Sequence, residues 1–275
     1  MAPIEEIHQG IWYRPGEGDP VAIVGGVHGD EPEGAQVVRE LCDPEHPTWK
    51  KALPHPAWLL LGNPEALRAG TRHSEGGEDL NRLFGPDPVA GPPTQERQRA
   101  ALLREVLAPV RRLVDLHQTI QPIPPLAVVP DSPLHLEHAA RLGVEALVVG
   151  AHRIYGETLL AGLIDRQGGV GLTVETGQSG RPEALEVARR VASRFLGPQT
   201  ETVPLPTYEI LRAIPSPAPG LRFLRPLQNG SEVSAGEILG LSEAGEFQLD
   251  EGGFVFLPRE GAAPGEPCLL LARLR

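Results

Sequence analysis

The sequence predicts an α/β protein in which an open, mostly parallel sheet carries helices on both faces and a small all-β domain follows. Short apolar runs alternate with amphipathic helical stretches between residues 21 and 196, which is the pattern of a largely parallel sheet. The sequence pattern changes at Pro198. Six prolines fall between residues 198 and 219, and only short strand-like segments follow. We therefore predict a first domain over residues 1–198 and a β-domain over residues 199–275.

The first elements can be placed one by one. Residues 21–27 form an apolar run that contains a glycine pair, as expected of a buried strand. A helix is predicted to begin directly afterwards, because Asp30 can cap it and Pro32 suits its first turn. Residues 57–63 form a second apolar strand, and residues 65–93 lack periodicity, which predicts a long loop with a functional purpose.

The remaining elements of the first domain alternate in type. We predict helices over residues 94–110, 133–142 and 181–196, and strands over residues 111–117, 126–130, 146–150 and 169–175. In the β-domain, the segment 229–240 resembles a turn of biotinyl and lipoyl domains. Those domains carry their cofactor on a lysine, and this segment contains none, which excludes a swinging-arm carrier.

Charge and composition exclude several classes of protein. The formal net charge of −11 at pH 7 removes the electrostatic basis for binding nucleic acid or an anionic membrane. The apolar runs are far shorter than the roughly 18 residues of a membrane helix, and no secretory signal is visible at the start. Cys42 and Cys268 form no metal-binding or redox spacing. We expect a cytoplasmic protein with reduced thiols, and a homo-oligomer is compatible with the sequence.

Three potential metal ligands follow the ends of predicted strands. His28 and Glu31 form an H-x-x-E pair after the first strand, and His117 ends the strand at 111–117. Alone, such a pair is more often a set of solvated loop residues than a metal site. Open α/β sheets bind ligands at the carboxyl ends of their strands, however, so the three side chains are expected to converge. Three ligands of the His/Glu type with one open position are what a catalytic zinc ion requires.

Two carboxylates accompany these residues. Asp115 lies two residues before His117 and projects from the same side of the strand. It either accepts the N–H of a metal-bound imidazole or serves the backbone, and the pattern favours neither. Glu175 ends the apolar run 169–175, where desolvation would raise its pKa into the range of a general base. Without further information a capping or loop glutamate is the more common outcome.

Basic residues cluster in the loop 71–85 of an otherwise acidic chain, where Arg72, Asn81 and Arg82 could bind a carboxylate. The histidines outside the strand ends are predicted to be surface residues; these are His8, His46, His55, His73, His135, His138 and His152.

Five motifs in a fixed order, taken together, resemble the aspartoacylase/succinylglutamate desuccinylase family of the zinc carboxypeptidase clan. They are GGVHGDEPEG, NPEALRAGTR, DLNR, VDLHQT and VETG, within about residues 20–180. The resemblance implies a zinc carboxypeptidase-like fold over residues 1–198, and the β-rich segment that follows fits the family's layout. It also implies one Zn²⁺ per chain, held by His28, Glu31 and His117, with Glu175 activating the bound water.

The resemblance further implies roles for the basic loop. Arg72 is expected to polarise the scissile carbonyl, and Asn81 with Arg82 to bind the substrate's carboxylate. Arg166 is the candidate for a further substrate-binding arginine that the family places before its catalytic glutamate. The aspartoacylases use a tyrosine late in the β-domain, whereas Tyr208 lies at the start of this one.

The function implied is a zinc-dependent amidohydrolase that removes an acyl group from a small N-acyl amino acid or a related carboxylate-bearing amide. A metallocarboxypeptidase acting on peptides is the alternative within enzymes, and an open groove instead of an enclosed pocket would favour it. A non-catalytic metal-binding protein is the alternative outside enzymes, although a binder has no need of a positioned base such as Glu175.

Overall fold

The computed structural model describes residues 3–87, 91–151, 154, 158–198 and 202–275. The helices are α1 (Pro32–Leu41), α2 (Pro64–Ala69), α3 (Gln95–Leu107), α4 (Pro133–Ala140), α5 (Leu160–Arg166) and α6 (Pro182–Leu196), with short 3-10 helices at Pro47–Lys50 and Leu80–Arg82. The strands are β1 (Glu5–His8), β2 (Ile11–Arg14), β3 (Val21–Gly25), β4 (Ala57–Leu61), β5 (Arg112–Thr119), β6 (Leu126–Val129), β7 (Ala146–Val149), β8 (Val170–Gln178), β9 (Thr207–Pro215), β10 (Arg222–Phe223), β11 (Ser231–Val233), β12 (Ile238–Ser242), β13 (Gly245–Gln248), β14 (Gly253–Phe256) and β15 (Pro267–Leu274). Within the described residues, none of the helices has the length and apolar character needed to cross a bilayer.

Twelve strands form one sheet in the order β1-β2-β4-β3-β5-β8-β6-β7-β9-β15-β14-β11. Five neighbouring pairs are parallel and six are antiparallel, so the prediction of a mostly parallel sheet was wrong. One cause is β6, which follows β5 after only six residues and runs antiparallel to β8. A parallel crossover needs about a dozen residues or more, which this short connection does not supply. The N-terminal hairpin and the C-terminal strands add the other antiparallel pairs.

Helices cover both faces of the central sheet, as predicted. Successive side chains of β3 point to opposite faces of the sheet. Val21 and Ile23 belong to the core on one face, and Ala22 and Val24 belong to the core on the other. The first core is completed by apolar residues of α1, α4 and α6, and the second by residues of α3 and α5. On β5 and β8, the residues Asp115 and Thr173 point towards the second face, since Val114 and Leu172 belong to the first core.

Close packing at the end of β3 determines how α1 begins. A Cβ on Gly25 would lie 2.1 Å from the carbonyl carbon of Gly34 in α1, so any larger residue would push the helix away from the strand. Gly26 turns the chain with a φ of 68°. The residue that precedes α1 is Glu31, and neither its side chain nor that of Asp30 caps the helix. The side chain of Glu31 faces two imidazoles instead, which places it in the site described below.

The segment after residue 202 consists of strands and turns, as predicted, and has a core of its own. Its strands do not form a detached sheet, because β9 pairs in parallel with β7 and brings β15, β14 and β11 into the twelve-stranded sheet. A separate three-stranded sheet of β10, β12 and β13 lies beside it. The division of the chain at residue 198 stays a prediction.

Candidate functional site

A cavity of about 850 Å³ lies at the carboxyl ends of β3, β5 and β8. His28 follows β3, and His117 of β5 is in register with Glu175 of β8, so the parallel pairing brings these side chains to one edge. Residues of the C-terminal segment, among them Leu224 and Leu257, also line this cavity. The sheet therefore brings His28, His117 and Glu175, the candidate site residues at predicted strand ends, into one cavity.

His28, Glu31 and His117 form a compact cluster of donor atoms. Glu31 Oε1 lies 2.7 Å from His28 Nδ1, and Glu31 Oε2 lies 2.9 Å from His117 Nδ1. One donor atom from each residue lies within 4.8 Å of the others, and all three residues are buried. In the described part of the chain this is the one group of His, Cys, Asp or Glu residues with such spacing.

The outward-facing nitrogens of both imidazoles contact carboxylates. Asp115 Oδ2 lies 2.9 Å from His117 Nε2, and Asp79 Oδ1 lies 3.0 Å from His28 Nε2. A carboxylate that accepts the N–H at Nε2 leaves Nδ1 as the nitrogen that would bind a metal ion once it is deprotonated. For Asp115 this contact is one of the two roles that the sequence leaves open, whereas Asp79 was not predicted. Asp79 is the first residue of the DLNR motif, so the sequence marks its position without indicating a contact with His28.

The ionisable groups of the cluster shift one another's pKa values. Burial alone lowers the pKa of an imidazole, but hydrogen bonds to Asp79 and Glu31 raise the pKa of His28 above its ordinary value. In the same way, Asp115 and Glu31 raise the pKa of the buried His117 well above its ordinary value. Burial favours the neutral acid for Glu31, yet His117 and His28 hold its pKa well below the usual range.

The donor set fits a zinc ion. Two imidazole nitrogens and one carboxylate are a ligand set of catalytic zinc sites, and the adjoining cavity leaves room for a further ligand. The two outer carboxylates supply the usual support of metal-binding histidines.

Glu175 lies in the same cavity without belonging to the donor cluster. Burial raises the pKa of its carboxyl group to about 7, a rise that Glu31 reinforces and that the nearby histidines oppose. Its Oε2 is shielded from solvent and has no hydrogen-bond partner within the structure. A carboxyl group of this kind has the pKa of a general base at neutral pH.

Arg72, Asn81 and Arg82 line the cavity, and Asp79 connects them. Arg72 Nη2 lies 2.9 Å from Asp79 Oδ2, and its Nη1 lies 3.7 Å from Glu31 Oε1. The backbone N–H of Asn81 donates to Asp79 Oδ1 over 2.9 Å, and Arg82 Nη2 lies 3.9 Å from Asp79 Oδ2. Two cations thus face the cavity beside the donor cluster.

The match to a sequence model of a known protein family identifies the family of this chain. The sequence model of the succinylglutamate desuccinylase/aspartoacylase catalytic domain matches residues 17–196. The chain belongs to this family.

Individual members of the family are similar at moderate identity. The chain is 35% identical over 168 residues to a probable aspartoacylase of Parasynechococcus marenigrum (strain WH8102), which covers 57% of this chain and 52% of that protein. It is 29% identical over 213 residues to the succinylglutamate desuccinylase of Serratia proteamaculans (strain 568), covering 70% and 62% of the two chains. The chain thus matches about half to three fifths of the length of these curated relatives.

The fold of the family extends over nearly the whole chain. A crystal structure of a succinylglutamate desuccinylase/aspartoacylase from Rhodobacter sphaeroides has a TM-score of 0.76, with 23% identity over 96% of this chain and 89% of the other. At this identity the likeness establishes the fold.

Arg166, the candidate for a further substrate-binding arginine, does not line the cavity of the donor cluster. It lines a second, adjoining cavity and donates from Nη2 to the carbonyl oxygen of Phe84. Tyr208, which departs from the family pattern by its place in the sequence, packs its ring against Phe254 and Phe256 and is also absent from the lining of the first cavity.

One of the predicted surface histidines is buried. His135 contacts Asp165 Oδ1 through Nε2 at 2.8 Å and Ser132 Oγ through Nδ1 at 2.7 Å, so the prediction was wrong for this residue. Ser132 caps the same helix, whereas Asp165 lies on α5, a partner that a helical sequence context does not reveal. His152 lies outside the described residues.

A buried glutamate of α3 anchors the loop that carries Arg72 and Asp79. Glu96 is fully buried, and its two oxygens accept hydrogen bonds from Ser74 N at 2.8 Å, Ser74 Oγ at 3.0 Å and Asn63 Nδ2 at 3.1 Å. The loop is thereby held against both α3 and the end of β4. Sequence reasoning missed Glu96, because nothing in the pattern of an amphipathic helix marks a buried carboxylate.

Proposed function

We propose that this member of the family is a zinc-dependent amidohydrolase that removes the acyl group from a small N-acyl amino acid or a related carboxylate-bearing amide. The observation that carries the proposal is the convergence of His28, Glu31 and His117 with Glu175 in one cavity. A protein that only binds a metal has no need of a carboxyl group beside its ligands whose shielded oxygen has no partner among the described residues, so Glu175 disfavours a non-catalytic role.

Each residue then has a defined task. Zn²⁺, when bound by His28, Glu31 and His117, lowers the pKa of water and polarises a carbonyl group. Glu175 accepts the proton of the attacking water at a carboxylate oxygen and returns it to the nitrogen of the leaving amine. Arg72 stabilises the negative charge that develops on the carbonyl oxygen, which is consistent with its position 3.7 Å from Glu31.

The cavity, with a volume of about 850 Å³, has room for a small substrate. Residues of the C-terminal segment, including Leu224, Arg225 and Leu257, line it together with the metal ligands. A peptide would need an open groove to extend beyond the scissile bond. Release of free amine from acetyl, succinyl and formyl derivatives of Asp, Glu and Lys tests the proposal, and release of C-terminal residues from peptides alone would favour the carboxypeptidase alternative. A cytoplasmic location and a homo-oligomeric state stay predictions.

Arg82→Lys should not preserve activity if Arg82 grips the substrate carboxylate with both guanidinium nitrogens. A lysine is a point charge and cannot reproduce the planar fork, so we expect a loss of about 2–3 kcal/mol in kcat/KM. Esterifying the substrate carboxylate should lower kcat/KM of the natural enzyme by a similar amount, and it should lower kcat/KM of the variant only a little. Arg68→Lys is the matched control, because Arg68 lies on α2 outside the cavity and pairs with Glu65. Equal losses on esterification in both enzymes would show that Arg82 does not contact that group.

Zinc binding should release more than one proton per ion at pH 6.5. In the metal-free protein the pKa values of His28 and His117 are raised, so both imidazoles are largely protonated at this pH, whereas a metal ligand must be neutral. The apparent affinity should therefore increase as the pH rises. Calorimetric titration with zinc in two buffers of different ionisation enthalpy measures the proton count, and a buffer-independent heat would contradict the expectation.

A further inference from the structure

A second cavity of about 330 Å³ adjoins the catalytic cavity. Four residues line both of them, namely Val128, Ala151, Leu159 and Thr173. The catalytic cavity therefore has a side chamber, which we call the side cavity, and Thr173 stands where the two meet. An apolar cavity of about 150 Å³ is enough to bind benzene in another protein, so the side cavity has room for an aromatic ring.

The described lining of the side cavity is apolar apart from three residues. Val129, Pro130 and Ala161 contribute aliphatic surface. Its two charged residues already have partners: Asp165 Oδ1 lies 2.8 Å from His135 Nε2 and accepts a hydrogen bond from Gly171 N at 2.7 Å, and Arg166 donates to Phe84 O. Asp165 and Arg166 carry opposite charges, so a charged group entering this space would lose its hydration in a lining whose described side chains carry no net charge.

The entrance of the side cavity lies beside Asn81, which with Arg82 is proposed to bind the substrate carboxylate. Asn81 Oδ1 accepts a hydrogen bond from the backbone N–H of Leu160 over 2.8 Å, and the preceding residue, Leu159, lines both cavities. In an α-amino acid the carboxylate and the side chain are attached to the same carbon. A substrate whose carboxylate is held by Asn81 and Arg82 therefore has its side chain next to Leu159.

The junction also has an unused polar group. Thr173 is only 6% exposed, and its Oγ1 has no hydrogen-bond partner in the structure. It lies two residues from Glu175 on the same face of β8. A ligand that passes from the catalytic cavity into the side cavity would bring its amide group close to this hydroxyl, which offers a partner where the rest of the wall is apolar.

We infer that the side cavity is the subsite for the amino-acid side chain, and that it selects N-acyl amino acids with large apolar side chains, such as leucine and phenylalanine, over those with acidic ones. This inference rests on the proposed function for the orientation of the substrate. Ala161 is a suitable position for reducing the volume of the side cavity, because its side chain is small and it lines the side cavity but not the catalytic cavity.

The test compares kcat/KM of the zinc-loaded enzyme for N-acetyl-L-phenylalanine, N-acetyl-L-leucine, N-acetyl-L-alanine and N-acetyl-L-aspartate. A well-filled apolar pocket discriminates by about 10–200-fold, so we expect at least a tenfold preference for phenylalanine or leucine over aspartate. Ala161→Leu adds three carbons to the side cavity and should lower the ratio of phenylalanine to alanine derivatives at least tenfold. Ala161→Val is the milder variant, and Ala101→Leu, at an exposed position of α3, is the matched control that should leave the ratio unchanged.

A preference for the aspartate derivative, or a ratio that Ala161→Leu and Ala161→Val leave unchanged, would overturn the inference. Binding of the free amino acids separates this result from a failure of the proposed function. If no derivative is hydrolysed, calorimetric titration with L-phenylalanine and L-aspartate still decides: tighter binding of phenylalanine that weakens at least tenfold in the Ala161 variants supports the subsite. Equal binding of the two amino acids by the natural protein overturns it, even if neither variant folds.

Discussion

Glu175→Gln is expected to lower kcat by about 10²–10⁴-fold, the usual contribution of a general base. Glutamine keeps the shape of the side chain and its reach for hydrogen bonds, but it cannot accept the proton of the attacking water. KM and zinc content should barely change, because Glu175 belongs neither to the donor cluster nor to the loop that carries Arg82. Steady-state kinetics together with elemental analysis of the purified variant measure both quantities.

A purely structural glutamate would give a different result. In that case the variant would melt at a lower temperature and keep near-normal turnover per folded molecule. Glu183→Gln, an exposed position in the first turn of α6, makes the same chemical change outside the cavity and should leave kcat unaltered. If Glu175→Gln retains more than a tenth of the natural kcat with full zinc content, the base must be sought elsewhere in the cavity.

Removal of the metal is expected to abolish activity and to leave the fold largely intact. The core that packs α1, α4 and α6 against the sheet involves no residue of the donor cluster, so a chain of this size does not depend on the ion for folding. The contacts of the two histidines with Glu31, Asp79 and Asp115 are also present in the metal-free protein, so removal of the ion leaves these side chains with hydrogen-bond partners. Circular dichroism before and after chelation checks the fold, and one equivalent of zinc should restore activity.

An active preparation without a stoichiometric transition metal would contradict the whole assignment of the site. Unfolding on chelation would instead show that the ion has a structural role, in contrast to the expectation from the size of the core.

Residues at the carboxyl ends of the central strands could be located from the sequence, because strand ends of one sheet meet at one edge. His28, His117 and Glu175 are such residues, and Asp115 followed from the two-residue period of a strand. Asp79 and Glu96 could not be located in this way. Asp79 lies in an irregular loop 51 residues from the histidine that it contacts, and Glu96 acts through partners on two other elements.

Strand direction was the weakest part of the fold prediction. Apolar runs identified β6 and β7 as strands, but hydrophobicity does not encode which way a strand runs. The hairpin β1–β2 and helix α5 were missed altogether, since four-residue strands and a seven-residue helix give little periodicity to detect. The position of Arg166 depended on α5, which explains why its place in a separate cavity was not foreseen.

Strands from both parts of the chain line the cavity of the donor cluster and belong to a single sheet. Strands β5 and β8 carry the metal side, and β9 and β15, which contribute Ile210 and Leu270 to the lining, join them through the ladder between β7 and β9. Swinging the walls apart about a hinge would break backbone hydrogen bonds along that ladder, each of them costly to leave unpaired. We therefore expect the spacing between these strands to change little when a ligand binds, so that the size limit for the proposed substrates is set by the sheet rather than by closure around the ligand.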